Sequence, residues 1–88
     1  MKKTEINKLD KILTDRDISH EMLKAYGGVK IRIPDFNGYR FSILFDKTSR
    51  GFSQGLLEVF GNGRGTSIDP IGYLHAEEAM DLMEVIVS

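Results

Sequence analysis

The chain has 88 residues, of which 41% are hydrophobic and 28% charged, and its net charge is −1. This composition is typical of one small globular domain, spanning residues 1–88, and excludes a disordered or fibrous chain. The absence of cysteine excludes disulfide bonds and thiolate metal sites, and no apolar run is long enough to span a membrane. We therefore expect a cytoplasmic protein with no membrane association.

The first segment of the chain has apolar residues at helical spacing, at Ile6, Leu9, Ile12 and Leu13. This spacing predicts a helix over about residues 4–14. Residues 18–26 fit two structures, because their apolar residues suit a helix that stops at Gly27-Gly28 and also alternate as in a strand. Gly27-Gly28 is a hairpin signal, which favours the strand.

Two clearer strands follow, VKIRIP (residues 29–34) and YRFSILF (residues 39–45). Both alternate apolar with polar residues, as a half-buried strand requires. Pro34 cannot donate a hydrogen bond to a neighbouring strand, so it belongs at the end of the first one. In the second strand, Tyr39, Phe41 and Phe45 share one side, which we expect to face the core.

The turn between these strands decides which side chains share a face. A two-residue Asn37-Gly38 turn would place Ile33 opposite Ser42 and mix polar with apolar residues on both faces. A three-residue loop would place Ile33 opposite Phe41 and collect the apolar residues on one face. We therefore predict the three-residue loop, with Gly38 in the left-handed conformation.

The second half of the chain continues with a polar loop (46–54), a strand (55–60), a glycine-rich loop (61–65) and a helix that starts at His75. The predicted order is αββββα, or ααβββα if residues 18–26 are helical. Two terminal helices and an antiparallel sheet of three or four strands make a two-layer α+β domain.

The glycine-rich loop contains Gly61, Gly63, Arg64 and Gly65. Its spacing does not match a dinucleotide-binding fingerprint, and no helix follows it directly. A backbone nest that binds an anion beside Arg64 is the weakest of three functional hypotheses. The two histidines are far apart and no carboxylate–histidine cluster is present, so we predict no metal site, no cofactor and no enzymatic activity.

A second hypothesis is nucleic-acid binding by the sheet face opposite the core. Lys30, Arg32 and Arg40 share that face, and Lys47 and Arg50 lie in the adjoining loop. Such a strip could contact phosphates. Single-strand binders also present aromatic side chains for base stacking, whereas the aromatic residues of strand 39–45 are predicted on the core side. This hypothesis is therefore the alternative.

The preferred hypothesis is a protein-interaction module. Phe52 lies between polar residues in the loop that also holds Lys47 and Arg50, and an exposed aromatic residue is typical of an interface anchor. Phe52 folded back onto the core is the other interpretation. The C-terminal run Val85-Ile86-Val87 is too broad for one helical face, so we predict a homodimer, joined through a sheet edge or this segment.

Four segments carry a resemblance to a known group of proteins. GGVKIRIP, GYRFSILF, GLLEVFG and IGYLHAEEAMDLM, within residues 4–85, resemble small uncharacterised accessory proteins of bacterial phages and mobile elements. The resemblance implies an accessory factor or inhibitor that binds a host or phage protein, and it carries no catalytic residues. In such proteins the last helix commonly starts with Leu-Thr-Ala-Glu-Glu, and His75 stands here in place of the threonine.

Overall fold

The computed structural model describes residues 4–63 and 65–88. Its elements are α1 (Thr4–Asp15), β1 (Glu21–Ala25), β2 (Gly28–Phe36), β3 (Tyr39–Phe45), a short 3₁₀ helix (Phe52–Gln54), β4 (Leu57–Gly63), β5 (Thr66–Leu74) and α2 (Ala76–Val87). The α+β class, the two terminal helices and the antiparallel sheet are confirmed. The predicted number of three or four strands is wrong, because the sheet has five, in the order β1-β2-β3-β4-β5.

Strand β5 is the one that the sequence did not predict. It contains Pro70, and proline is confined to sheet edges because it has no N–H to donate. β5 is an edge strand, so this restriction is met. Its register with β4 also shifts twice. Each shift changes the side of the sheet on which the next residues lie, so the alternation that identifies a strand is lost.

The segment 18–26 is a strand rather than a helix over the five residues of β1. Ala25 pairs with Gly28, so Tyr26 and Gly27 form the hairpin turn and Gly28 already belongs to β2. A Cβ atom at Gly28 would lie 2.0 Å from the backbone oxygen of Phe45. Gly28 is therefore needed for close approach of β3, and the predicted Gly27-Gly28 turn is displaced by one residue.

The β2–β3 hairpin has the predicted register but a different turn. Ile33 pairs with Phe41 as expected, yet Phe36 pairs with Tyr39. Asn37 and Gly38 thus form a two-residue turn, with φ angles of 56° and 90°, as a type I′ turn requires. A register shift between Ile33 and Phe36 takes up the odd residue and keeps the apolar residues on one face. The predicted three-residue loop is wrong, and its assignment of faces is right.

Both helices pack on the same face of the sheet. The buried core joins side chains of α1 and α2 to one face of β2, β3 and β4: Ile6, Leu9, Leu13, Ile31, Ile33, Phe41, Ile43, Phe45, Leu57, Val59, Ala76, Ala79, Met80, Met83 and Val87. No helix of the described residues covers the other face, which we call the open face. Its strand residues are Glu21, Leu23, Lys30, Arg32, Arg40, Ser42, Leu44, Glu58, Phe60 and Asn62.

The C-terminal apolar run packs mainly on the chain's own core. Val87 is buried and Ile86 is half-buried against the core, whereas Val85 is 71% exposed. Val85 is therefore the residue of this run that is exposed enough to contact a second copy of the chain. The homodimer remains a prediction. Neither helix of the described part of the chain is long and apolar enough to cross a membrane.

Candidate functional site

The glycine-rich segment is mostly part of a strand. Gly61 and Gly63 lie in β4, opposite Phe41 and Tyr39 of β3. A Cβ atom at Gly61 would lie 2.3 Å from the backbone oxygen of Arg40 and 2.7 Å from the Phe41 ring. The glycines therefore let the aromatic rings of β3 lie against β4, which gives them a structural role.

This arrangement bears on the anion-binding hypothesis. The rings of Tyr39 and Phe41 stack at 14° with their centroids 6.0 Å apart, on the core side of the glycines. Gly65 follows β4 with a φ of 78°, in the turn that leads to β5. Arg64, the cation of the hypothesis, lies outside the described residues. Anion binding by Gly61, Gly63, Arg64 and Gly65 remains a prediction. The close approach of β3 to β4 already accounts for Gly61 and Gly63.

The β3–β4 loop contains Lys47, Arg50 and Phe52, the three residues of the protein-binding hypothesis. The three side chains have different surroundings. The ring of Phe52 packs against Phe45, with 4.7 Å between centroids, and is half-buried. Lys47 is exposed. The Arg50 side chain is also exposed, and its Nε lies 3.6 Å from Oε2 of Glu58. Phe52 thus packs at the boundary of the core, and protein binding through Lys47, Arg50 and Phe52 remains a prediction.

Hydrogen bonds within the loop hold it against the sheet. The buried Asp46 accepts bonds at Oδ1 from the Thr48 N–H (2.8 Å) and the Thr48 hydroxyl (2.6 Å). The Ser49 hydroxyl accepts from the Asp46 N–H and donates to the Asp46 carbonyl. At Gly72 of β5 a Cβ atom would lie 2.3 Å from the Cβ of Arg50, so the loop presses against the sheet there. The loop therefore borders one end of the open face.

The open face carries more cations than carboxylates. Its strand cations are Lys30, Arg32 and Arg40, as predicted. Arg32 binds Glu21 at 2.9 Å. The other carboxylate, Glu58, has a side chain only 8% exposed and interacts with Arg50 of the loop. Within the described residues, Lys30 and Arg40 therefore have no ion-pair partner, and this part of the face is positive.

Phe60 lies on the open face and was not among the predicted site residues. Leu57 and Val59 of β4 are buried in the core, so Phe60 lies on the opposite side with Glu58. Phe60 faces Ser42 across the ladder and is 36% exposed. The alternation of residues 57–60 is the signal that predicts this placement.

Phe60 borders two shallow concavities of the open face. The first has a volume of about 480 Å³ and is lined also by Arg32, Arg40 and Ser42, with Asn62 and Ser67. The second, of about 540 Å³, is lined also by Lys24, Ala25, Tyr26, Lys30, Leu44, Asp46 and Thr48. Cations thus lie on both sides of an exposed aromatic ring.

Tyr26 brings a second aromatic side chain to this surface. It lies in the β1–β2 turn, is 76% exposed and lines the second concavity together with Phe60. Its carbonyl accepts a hydrogen bond of 2.8 Å from the Lys47 N–H, which ties the turn to the β3–β4 loop.

Both histidines make hydrogen-bonding contacts within the fold. The ring nitrogens of His20 lie 2.6 Å from Oδ1 of Asp10 and 2.7 Å from the Ile18 carbonyl, so this side chain joins α1 to the segment before β1. His75 precedes α2, and its N–H donates to Glu78 at 2.9 Å. Among residues 4–63 and 65–88, no three histidine, aspartate or glutamate side chains are grouped to hold a metal ion.

Comparisons of the chain with protein-family models, with curated proteins and with solved structures find no match. The geometry of the open face is therefore the basis for inferring a function. That surface joins cations without ion pairs, two exposed aromatic rings and hydroxyl and amide groups.

Proposed function

We propose that this chain is a non-enzymatic binding domain that holds a negatively charged partner on its open face. The observation that carries the proposal is the pair Lys30 and Arg40, which share the face without an ion-pair partner among the described residues. A cation without a counter-charge leaves a local positive potential that attracts anions. This happens in a chain whose net charge is −1, so the positive charge is concentrated by the fold.

The rest of the open face is suited to contact with such a partner. Both concavities are open and border Phe60, so a chain-like partner can lie along them. The strand carboxylates Glu21 and Glu58 each interact with an arginine, and Asp46, which also lines the second concavity, accepts hydrogen bonds from Thr48. An accessory role in a phage or mobile element, and a cytoplasmic location, are compatible with this proposal and remain predictions.

The proposal is tested by charge reversal on the open face and on a helix. We expect Arg40→Glu to elute from immobilised heparin at lower salt than the unmodified protein, because the positive potential of the face is lost. Lys11→Glu is the matched control, since it makes the same change of charge at an exposed site of α1. Equal shifts of the two variants would show that only net charge matters and would end the proposal.

A second candidate function is favoured by the exposure of Tyr26. Tyrosine is enriched among the hot-spot residues of protein–protein interfaces, and Tyr26 is 76% exposed. A protein partner would then be anchored by Tyr26 and not by Phe52, which packs against the core. Tyr26→Ala should reduce capture of that partner from a native lysate, and Tyr73→Ala, which removes an exposed tyrosine of β5, should not.

A further inference from the structure

We infer that the open face binds single-stranded nucleic acid, with bases stacked on Phe60 and Tyr26 and phosphates held by Lys30, Arg32 and Arg40. The inference rests on the proposed function and adds the chemical class of the partner. Its basis is the joint placement of aromatic rings and cations on one uncovered sheet face.

The aromatic rings distinguish a nucleic acid from an acidic peptide. Phe60 and Tyr26 line the same concavity, and Lys30 lies in it with them. Nucleobases stack on exposed aromatic rings whatever their sequence, while the backbone phosphates need cations nearby. An acidic peptide would use the cations but has no general need of two exposed rings. The combination therefore favours a nucleic-acid strand.

The shape and polar groups of the face favour a single strand over a duplex. Bases within a duplex are stacked on each other and cannot lie against protein rings without being extruded, whereas an unpaired strand presents them directly. Around Phe60 the first concavity adds the hydroxyls of Ser42 and Ser67 and the amide of Asn62. These groups can bond to base edges or sugars, and none of them requires a particular base.

The electrostatics give the inference a quantitative form. Lys30 and Arg40 have no ion-pair partner among the described residues, Asp46 lines the same concavity as Lys30, and Arg32 is shared with Glu21 at 2.9 Å. Each phosphate neutralised on a single strand contributes about −0.7 to the slope of log K against log salt, so three contacts give about −2. Replacing one contacting cation should make this slope shallower by about 0.7.

The experiment measures binding of fluorescein-labelled oligothymidylate and oligouridylate, each of about ten nucleotides, by fluorescence anisotropy at several salt concentrations. Phe60→Leu keeps an apolar side chain and removes the aromatic face, so we expect affinity to fall by about tenfold or more. Phe60→Tyr keeps the ring and should bind like the unmodified protein. Arg40→Gln should lower both affinity and salt slope, and Lys11→Gln on α1 should change neither.

The possible results separate the inference from the proposed function. Binding that is lost in Phe60→Leu and kept in Phe60→Tyr, with both variants folded by circular dichroism, supports the inference. If Phe60→Leu binds as well as the unmodified protein, stacking is absent and the inference is wrong. Binding of polyglutamate but not of either oligonucleotide would also overturn it, and the proposed function would stand with an acidic protein as partner. If no polyanion binds, both fail.

Discussion

Glu5 of α1 links the two helices, and replacing it with glutamine tests that link. Its Oε1 accepts a hydrogen bond of 2.9 Å from the Ala76 N–H, in the first turn of α2. The Glu5 side chain is only 11% exposed, and Lys8 lies 3.4 Å from its other oxygen. A carboxylate at a helix N-terminus is stabilised by the helix dipole and by N–H groups that have no partner within the helix.

The magnitude follows from what glutamine keeps and loses. Glutamine retains an oxygen that can accept from Ala76, so the hydrogen bond survives in neutral form. The loss is the interaction of the charge with the helix N-terminus and with Lys8, and we expect the free energy of unfolding to fall by about 1–2 kcal/mol. For a domain of this size, each kcal/mol corresponds to about 4–8 °C in Tm. Glu5→Ala also removes the acceptor and should be more destabilising.

The effect should depend on pH with a defined sign. The Ala76 N–H, helped by Lys8 and His75, holds the pKa of Glu5 below its ordinary value of 4.5 even though burial raises it. A carboxyl group with a lowered pKa in the folded state stabilises the fold above its unfolded-state pKa. That contribution is lost as the pH falls through the folded-state pKa, because both states are then protonated. The stability difference should therefore be full at neutral pH and shrink below pH 4.5.

Urea unfolding from about pH 7 to about pH 3 measures this difference directly. Glu77→Gln is the control, because Glu77 is an exposed carboxylate in the same first turn of α2, with a smaller expected loss. Equal stability of Glu5→Gln and the unmodified protein at neutral pH would refute the argument. A difference that persisted unchanged in acid would show that charge is not its cause.

Three other predictions concern packing and association. Gly61→Ala should be more destabilising than Gly65→Ala, because the new Cβ meets a backbone oxygen at 2.3 Å in the first case and open space with a φ of 78° in the second; chemical denaturation compares them. Val87→Ala should lower the free energy of unfolding by about 1–2 kcal/mol, and the exposed Val85→Ala by less than about 0.5 kcal/mol. Light scattering over a concentration series tests the predicted homodimer, and a constant monomer mass would contradict it.

Much of the fold could be predicted because the face of each strand follows from alternation. The pairing of Ile33 with Phe41, and hence the outward placement of Arg32 and Arg40, required only that the apolar residues share one side. The actual turn could not be predicted, because a bulge lets a tight Asn37-Gly38 turn satisfy the same condition. A three-residue loop and a two-residue turn with a bulge both place the apolar residues of the two strands on one face. The alternation of the sequence therefore predicts the face but not the turn.

The features that the sequence did not predict were hidden for several different physical reasons. β5 was hidden because a proline and two register shifts, which are tolerated at a sheet edge, destroy the alternation. Phe52 could not be assigned because an aromatic residue in a polar loop has the same local pattern whether it packs inward or outward. His20 joins Asp10 of α1 through a contact that no local pattern encodes. The hairpin places Tyr26 at the same concavity as Phe60, which no local pattern of the sequence indicates.

The short connections of the sheet explain why the open face stays uncovered. The β1–β2 and β2–β3 turns have two residues each, so neither can fold across a sheet face. Both helices lie on the other side, and the β3–β4 loop reaches only the end of the face where Arg50 meets Glu58. No element of residues 4–63 and 65–88 lies over the stretch from the half-buried Lys30 past Phe60 to Arg40. A ring exposed between cations is the feature that the proposed nucleic-acid partner would cover, and the Phe60→Leu variant tests whether it does.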